Sequence, residues 1–271
     1  MTQSQHSYSA SSWTKWQVLV GKECLEMVRS YKLVWVPIVF ILLGVMQPVT
    51  SYFLPEILAS AGSLPEGAVI DIPLPSGAEV LSQTLQQYNT LGLLIVALSF
   101  MSAISGERSS GTAALMLVKP ISHAAFVTSK WAAMAALILA SFALGYLGAW
   151  YYTMLLIGSV DAGLVFGSLL IYGLWLIFIG TLTLLFSSLF KSGAPAAFAA
   201  LGSAAVLTIA SSLWSGALAW SPSMLAGRAY SLLQSGHVDA ALWPGIGVTA
   251  VAIAAALAAA SVLLKKRLSH D

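Results

Sequence analysis

The sequence predicts an all-α polytopic membrane protein with six transmembrane helices. Apolar residues make up 58% of the chain and charged residues only 8%, against about 25% charged in a soluble domain. Several stretches exceed the roughly 18 apolar residues that mark a bilayer-crossing helix. The cations also sort. Six spans put both termini on one side, and eleven of the twelve Lys and Arg fall there, only Arg228 lying opposite. The positive-inside rule makes that side cytoplasmic. A multi-pass protein of the plasma (inner) membrane with both termini inside is expected.

Residues 1–12 are polar, lack the basic start of a signal peptide, and are read as a disordered cytoplasmic tail. Residues 13–271 form one transmembrane domain. Its first element is a helix over 13–31, where Trp13, Trp16, Val20, Cys24, Met27 and Tyr31 make one stripe of a 3.6-residue period. Lys15, Lys22 and Arg29 lie seven apart on the opposite face. Tryptophans with a basic back describe a helix in the membrane interface, its cations near anionic lipid headgroups. A soluble-core helix would show the same stripe, but the rest of the chain is too apolar to receive it.

The first span covers 33–54, with Pro37 and Pro48 as kinks. Residues 55–79 form an external segment rich in Pro, Gly and acids. Ser76 and Glu79 have capping-box spacing and start a helix that becomes the second span, 80–105. Ser82, Gln86 and Asn89 share one face of its first half. That face lines a polar path or simply projects above the bilayer. The third span covers 124–157, with Trp131 near one end and Trp150, Tyr151 and Tyr152 near the other as interface anchors. The fourth, 164–190, follows a turn around Asp161. The fifth, 194–213, is rich in Ala, Gly and Ser, which permits close helix approach. An external segment, 214–243, holds a short helix from Pro222 to Gln234 stopped at Gly236, and the sixth span covers 244–264 before Lys265, Lys266 and Arg267.

The loop 106–122, GERSSGTAALMLVKPIS, stands apart. Glu107 and Arg108 close an apolar run, Ser109-Ser110-Gly111 breaks the chain and offers a cap, and Thr112–Lys119 has about two turns of helical character before Pro120. Leu115, Met116 and Val118 cluster, and Ser122 can cap the next helix. Glu107 can pair with Arg108, cap backbone amides, or meet a cation on a partner. From the residues alone the loop either receives a push from a soluble partner or merely reverses the chain.

Several chemistries are absent. No ionisable residue falls in the central part of any span, as ion-coupled transport requires. His6, His123, His237 and His270 lie in tails and loops without ligand spacing, and Cys24 is the sole cysteine, so no metal site is expected. No phosphate-loop motif exists for an ATPase on this chain.

The pattern Glu107-Arg108-x-x-Gly111-Thr112, then Leu117, then Pro120-Ile121-Ser122 resembles the cytoplasmic loop of type-2 ATP-binding-cassette (ABC-2) permeases. His123 departs from it, since the family usually carries arginine there. The resemblance implies that this loop is a coupling helix docking on a separate ATP-binding subunit, which would bring the ATP and magnesium. It implies a transmembrane subunit without catalytic residues or cofactors of its own, paired with a second permease copy or paralogue. Most of the family are exporters. A non-transporting membrane scaffold is the alternative, and nothing points to a nucleic-acid partner.

Overall fold

The computed structural model describes residues 11–60, 74–112 and 122–268. Among them are six helices long and apolar enough to cross a membrane: Lys32–Ile57, Gly77–Ser109, His123–Leu156, Ala162–Leu189, Gly193–Leu213 and Leu242–Arg267. Described residues form helices, turns and bends, with no strand. An amino-terminal helix, α1 (Ser12–Arg29), precedes the first span and starts at Ser11, whose hydroxyl accepts from Thr14 N. Six alternating spans leave α1 and the carboxyl end of the sixth span at one end of the bundle, called the basic end below.

The fourth span is the central helix. Its Trp175, Tyr172 and Leu176 are fully buried, and aromatic rings stack outward from it. Phe142 lies 5.2 Å from Tyr172, 5.5 Å from Tyr88 and 5.6 Å from Tyr146, and Tyr88 lies 5.3 Å from Phe40. The first and third spans pack along their length. They meet through Gly44 and Gly145, where a Cβ on either would overlap the other helix's backbone and the Tyr88 hydroxyl. Tyr88 Oη donates to Phe40 O at 2.7 Å, tying the second span into the same contact.

Several boundaries differ from the expectation. The first helix runs on to Ser60 with Pro37, Pro48 and Pro55 inside it, because a proline removes one hydrogen bond without forbidding helical dihedrals. The sixth helix runs on through Lys265–Arg267 to Leu268. The short external helix begins at Met224 rather than Pro222. Just before it, Ser223 Oγ bonds Ser211 Oγ, Ser221 Oγ and Leu207 O, fastening that turn to the fifth span. Gly236 ends the helix in the left-handed region, φ 70°. Trp131 is no free interface anchor, since its Nε1 donates to Thr181 Oγ1 on the fourth span at 2.9 Å. Tyr151 and Tyr152 do face outward.

The second span is interrupted twice. A π-helical turn, Tyr88–Gly92, separates Gly77–Gln87 from Leu93–Phe100, and residues 101–104 form turns before the short helix Ser105–Ser109. The amides of Ile104 and Ser105 both donate to Ser187 Oγ, at 3.0 and 3.1 Å. A fourth-span hydroxyl therefore satisfies amides at the break, as a buried backbone requires.

Candidate functional site

The break at 101–104 turns the last helical turn of the second span inward at the basic end. Glu107 is consequently buried, 8% exposed. Its neighbour Arg108 points to the fourth span, donating from Nη1 to Ser188 O at 3.2 Å. Glu107 meets two cations of its own chain, Lys22 of α1 and Lys130 of the third span, the latter at 2.9 Å. Neither Arg108 nor a partner's cation has to supply its counter-charge.

Lys130 is the hub. It is 3% exposed and lies one and a half to two turns into the third span. Besides Glu107 it contacts both carboxylate oxygens of Glu23, at 2.9 and 2.8 Å, and its ammonium sits 5.1 Å from the centre of the Phe126 ring. Lys22 bonds Glu23 at 3.0 Å and Glu26 at 3.2 Å as well as Glu107. Lys32, over the Phe100 ring, closes the group and interacts electrostatically with Glu26 and Glu23. Three lysines thus face three glutamates. Buried charges persist only when paired, and here each core charge has at least two opposite neighbours. Beside Lys130 and Glu23 is a cavity of about 20 Å³, room for one water.

The field acts on the flanking groups as well. Burial favours the neutral form of Lys22, but its bonds to Glu107 and Glu23 outweigh burial and raise its pKa. Burial likewise opposes the charged form of Glu26, and Lys130 and Lys22 overcome it to hold the carboxyl below its ordinary value. Glu23, Glu26 and Glu107 bring carboxylate oxygens within 4.8 Å of one another. That spacing suits a divalent cation, but Lys22 and Lys130 already fill the position between them. The lysines do a metal's neutralising work.

Leu115, Met116, Pro120 and Ile121 lie outside the described residues. On the near side of that segment, Gly111 has φ 74°, a left-handed conformation suited to glycine, and Thr112 is exposed beside it, bonded through Oγ1 to Ser110 at 2.9 Å. On the far side Ser122 caps the third span, its hydroxyl accepting from Ala125 N at 3.1 Å.

The stripe on α1 divides. Leu19, Glu23 and Met27 are buried, and Trp16 donates to Thr128 Oγ1 at 3.1 Å. Trp13 and Cys24 are exposed, as are Arg29 and, just past the helix, Tyr31, while Lys15 is half-buried. Lys22, expected among lipid headgroups, turns into the charge cluster. The seven-residue spacing of the cations did not reveal this, because the attracting acids are remote in sequence. A lone lysine seven residues into an otherwise apolar helix, Lys130, was the available signal; so was a glutamate pair, Glu23 and Glu26, interrupting an apolar stripe.

The polar face of the second span also divides. Ser82 is buried under the short external helix, accepting from Gln234 Nε2 at 3.3 Å, while Gln86 is exposed. Asn89 lies in the π turn and its Oδ1 accepts from buried Trp175 Nε1 at 3.0 Å. Its side chain opens on a groove of about 370 Å³ between the second and fifth spans, lined by Thr90, Leu93, Leu201, Ala204, Ala205, Thr208 and Ile209.

The model of the ABC-2 family transporter proteins matches residues 17–267. That is nearly the whole chain, from α1 through all six spans. This protein belongs to the ABC-2 transporter family. A similar protein is the uncharacterized transmembrane protein YxlG of Bacillus subtilis (strain 168), 39% identical over 219 residues, which cover 81% of this chain and 85% of that one. An ABC-2 family member is the transmembrane component of an ABC transporter, and membership implies pairing with an ATP-binding subunit. Such membrane subunits are generally not themselves catalytic.

Proposed function

We propose that this ABC-2 protein is the membrane half of an ATP-driven exporter in the plasma membrane. It works as a dimer with cytoplasmic termini and is driven by a separate ATP-binding subunit that docks on the 106–122 loop. ATP and magnesium belong to that subunit. The single observation that carries the coupling role is the Glu107–Lys130 ion pair. It joins the last turn of the second span to the first turns of the third, so both roots of the loop are held together. Force applied to the loop therefore reaches two spans at once instead of flexing a tether.

The substrate path in this reading runs by the groove beside Asn89. Its lining carries an amide and two threonine hydroxyls among aliphatic side chains and no charge, which suits an amphipathic solute better than an ion.

Leu115→Asp with Met116→Asp is the direct experiment. The double variant should insert and dimerise, yet lose co-purification of the ATP-binding subunit or its transport-linked ATP turnover. Retained partner and parental transport would reduce the loop to a chain reversal and favour the scaffold alternative.

A further inference from the structure

The amino-terminal helix has little besides charge to fix its position. Its outward face carries Val18, Leu25 and Val28, all at least half exposed, and around Gly21 there is nothing within 4 Å of an added Cβ. Its inward face offers only Leu19 and Met27 as buried apolar anchors, together with the Trp16–Thr128 hydrogen bond. Between those anchors sits Glu23, 6% exposed, with both carboxylate oxygens on Lys130. Lys22, one residue earlier, contacts Glu107. The group that receives Glu23 and the group that receives Lys22 are thus the two roots of the 106–122 loop.

We propose that Glu23, Lys22 and Lys130 are positioning residues that lock α1 to the roots of the loop, so that α1 moves with the loop as one rigid body during transport. The proposal rests on the coupling role above, and it extends the moving unit to a helix outside the spans. Three features support a joint rather than a set of incidental surface pairs. Lys130 is buried, so its bonds are shielded from salt and water. The contacts converge: Glu107 and Glu23 share Lys130, and Glu107 and Glu23 share Lys22, so neither helix can shift without breaking two pairs. In the two-residue joint to the first span, Ser30-Tyr31, Tyr31 is held at φ 56°, a conformation sparsely populated by non-glycine residues; this fixes the angle at which α1 leaves the bundle.

The native cysteine provides the test, since Cys24 is exposed on α1 and is the sole cysteine of the chain. Spin labels at Cys24 and at Ser109→Cys report the distance from α1 to the loop root in full-length protein in lipid nanodiscs. The distance should be single and narrow, and identical with and without ATP in the complex with the ATP-binding subunit. Lys130→Met should broaden it, and Lys130→Arg, which keeps the charge, should not. Glu23→Gln, a gentler change than emptying the Lys130 site, should also broaden it. Transport-linked ATP turnover should fall roughly two- to thirtyfold in Lys130→Met and Glu23→Gln, with the subunits still assembled. An unchanged distance in both variants overturns the joint, whatever the ATP-binding subunit does. A broadened distance with parental turnover overturns its part in transmission. Failure of the parental protein to bind an ATP-binding subunit would sink the coupling role, while broadening in the isolated chain would still support the joint.

Discussion

Lys130 is placed where a single substitution separates the electrostatic account from simple packing. Removing one partner of a buried charge pair strands the other charges, at a cost of about 3–5 kcal/mol. Lys130→Met, close in volume, should therefore destabilise the solubilised protein by about that amount, read as a lowered unfolding midpoint. A drop within about 0.5 kcal/mol, the usual range for surface changes, would mean that the charges do not hold the basic end together. The cluster also predicts a pH dependence. Glu26 is held below its ordinary value of 4.5 because Lys130 and Lys22 outweigh burial. A carboxyl depressed in the folded state stabilises fully above its unfolded value and loses that contribution as pH falls through the folded one. Lys22, raised, has the opposite sign: its contribution is complete below 10.5 and is lost only as pH climbs through the raised value. Thermal stability should hold across neutral pH and fall on acidification below about 4.5. Lys130→Met should flatten that fall. A midpoint indifferent to acid in the parental protein would count against the cluster.

At the scale of the element, the second span concentrates what is unusual. Its π turn puts Asn89 where Trp175 can bond it and where the groove begins, so one local irregularity sets both a buried polar contact and a cavity wall. Asn89→Leu leaves the indole Nε1 of Trp175 without its acceptor, costing about 1–3 kcal/mol, and removes the amide from the groove, whose polar lining is then Thr90 and Thr208 alone. Export should fall while the ATP-binding subunit stays bound, a pairing that co-purification with a transport assay can read. Parental export would place the path elsewhere. Spans, caps and turns such as Ser76, Asp161, Gly236 and Ser122 were legible in the sequence because their causes are local: hydropathy, a side-chain oxygen, a missing Cβ. The π turn was not, since tertiary contacts decide where a helix widens. Nor was the division of the Ser82–Gln86–Asn89 face, because the cover over Ser82 comes from Gln234, far along the chain. The charge cluster was half legible. Glu107 stood out in its motif, but its partners sit 85 and 23 residues away, beyond the reach of any periodicity.

The whole molecule leaves its outer helices incompletely covered, and this bears on the proposed dimer. The fourth span is enclosed by its neighbours, whereas the first, fifth and sixth are largely exposed along their lengths. Lipid can cover such faces, so exposure alone does not choose among them. The fifth span is set apart by the groove it walls; its small residues Ala196, Ala197, Ala200 and Ala204 are buried against the bundle, where they let backbones approach closely. Its outward face, Phe198, Gly202, Val206, Ile209 and Leu213, runs the length of the helix beside the open groove at Asn89. A second copy seated there would close two grooves into one enclosed path, which a laterally open groove in a single copy does not provide. Leu42 on the first span is about as exposed as Val206 but sits on a span that contributes nothing to the lining of that groove. In a Cys24→Ser background, Val206→Cys should therefore form an intermolecular disulfide in membranes under mild oxidation, and Leu42→Cys should not. Efficient cross-linking at Leu42 with none at Val206 would move the dimer contact to the first span and leave the groove facing lipid.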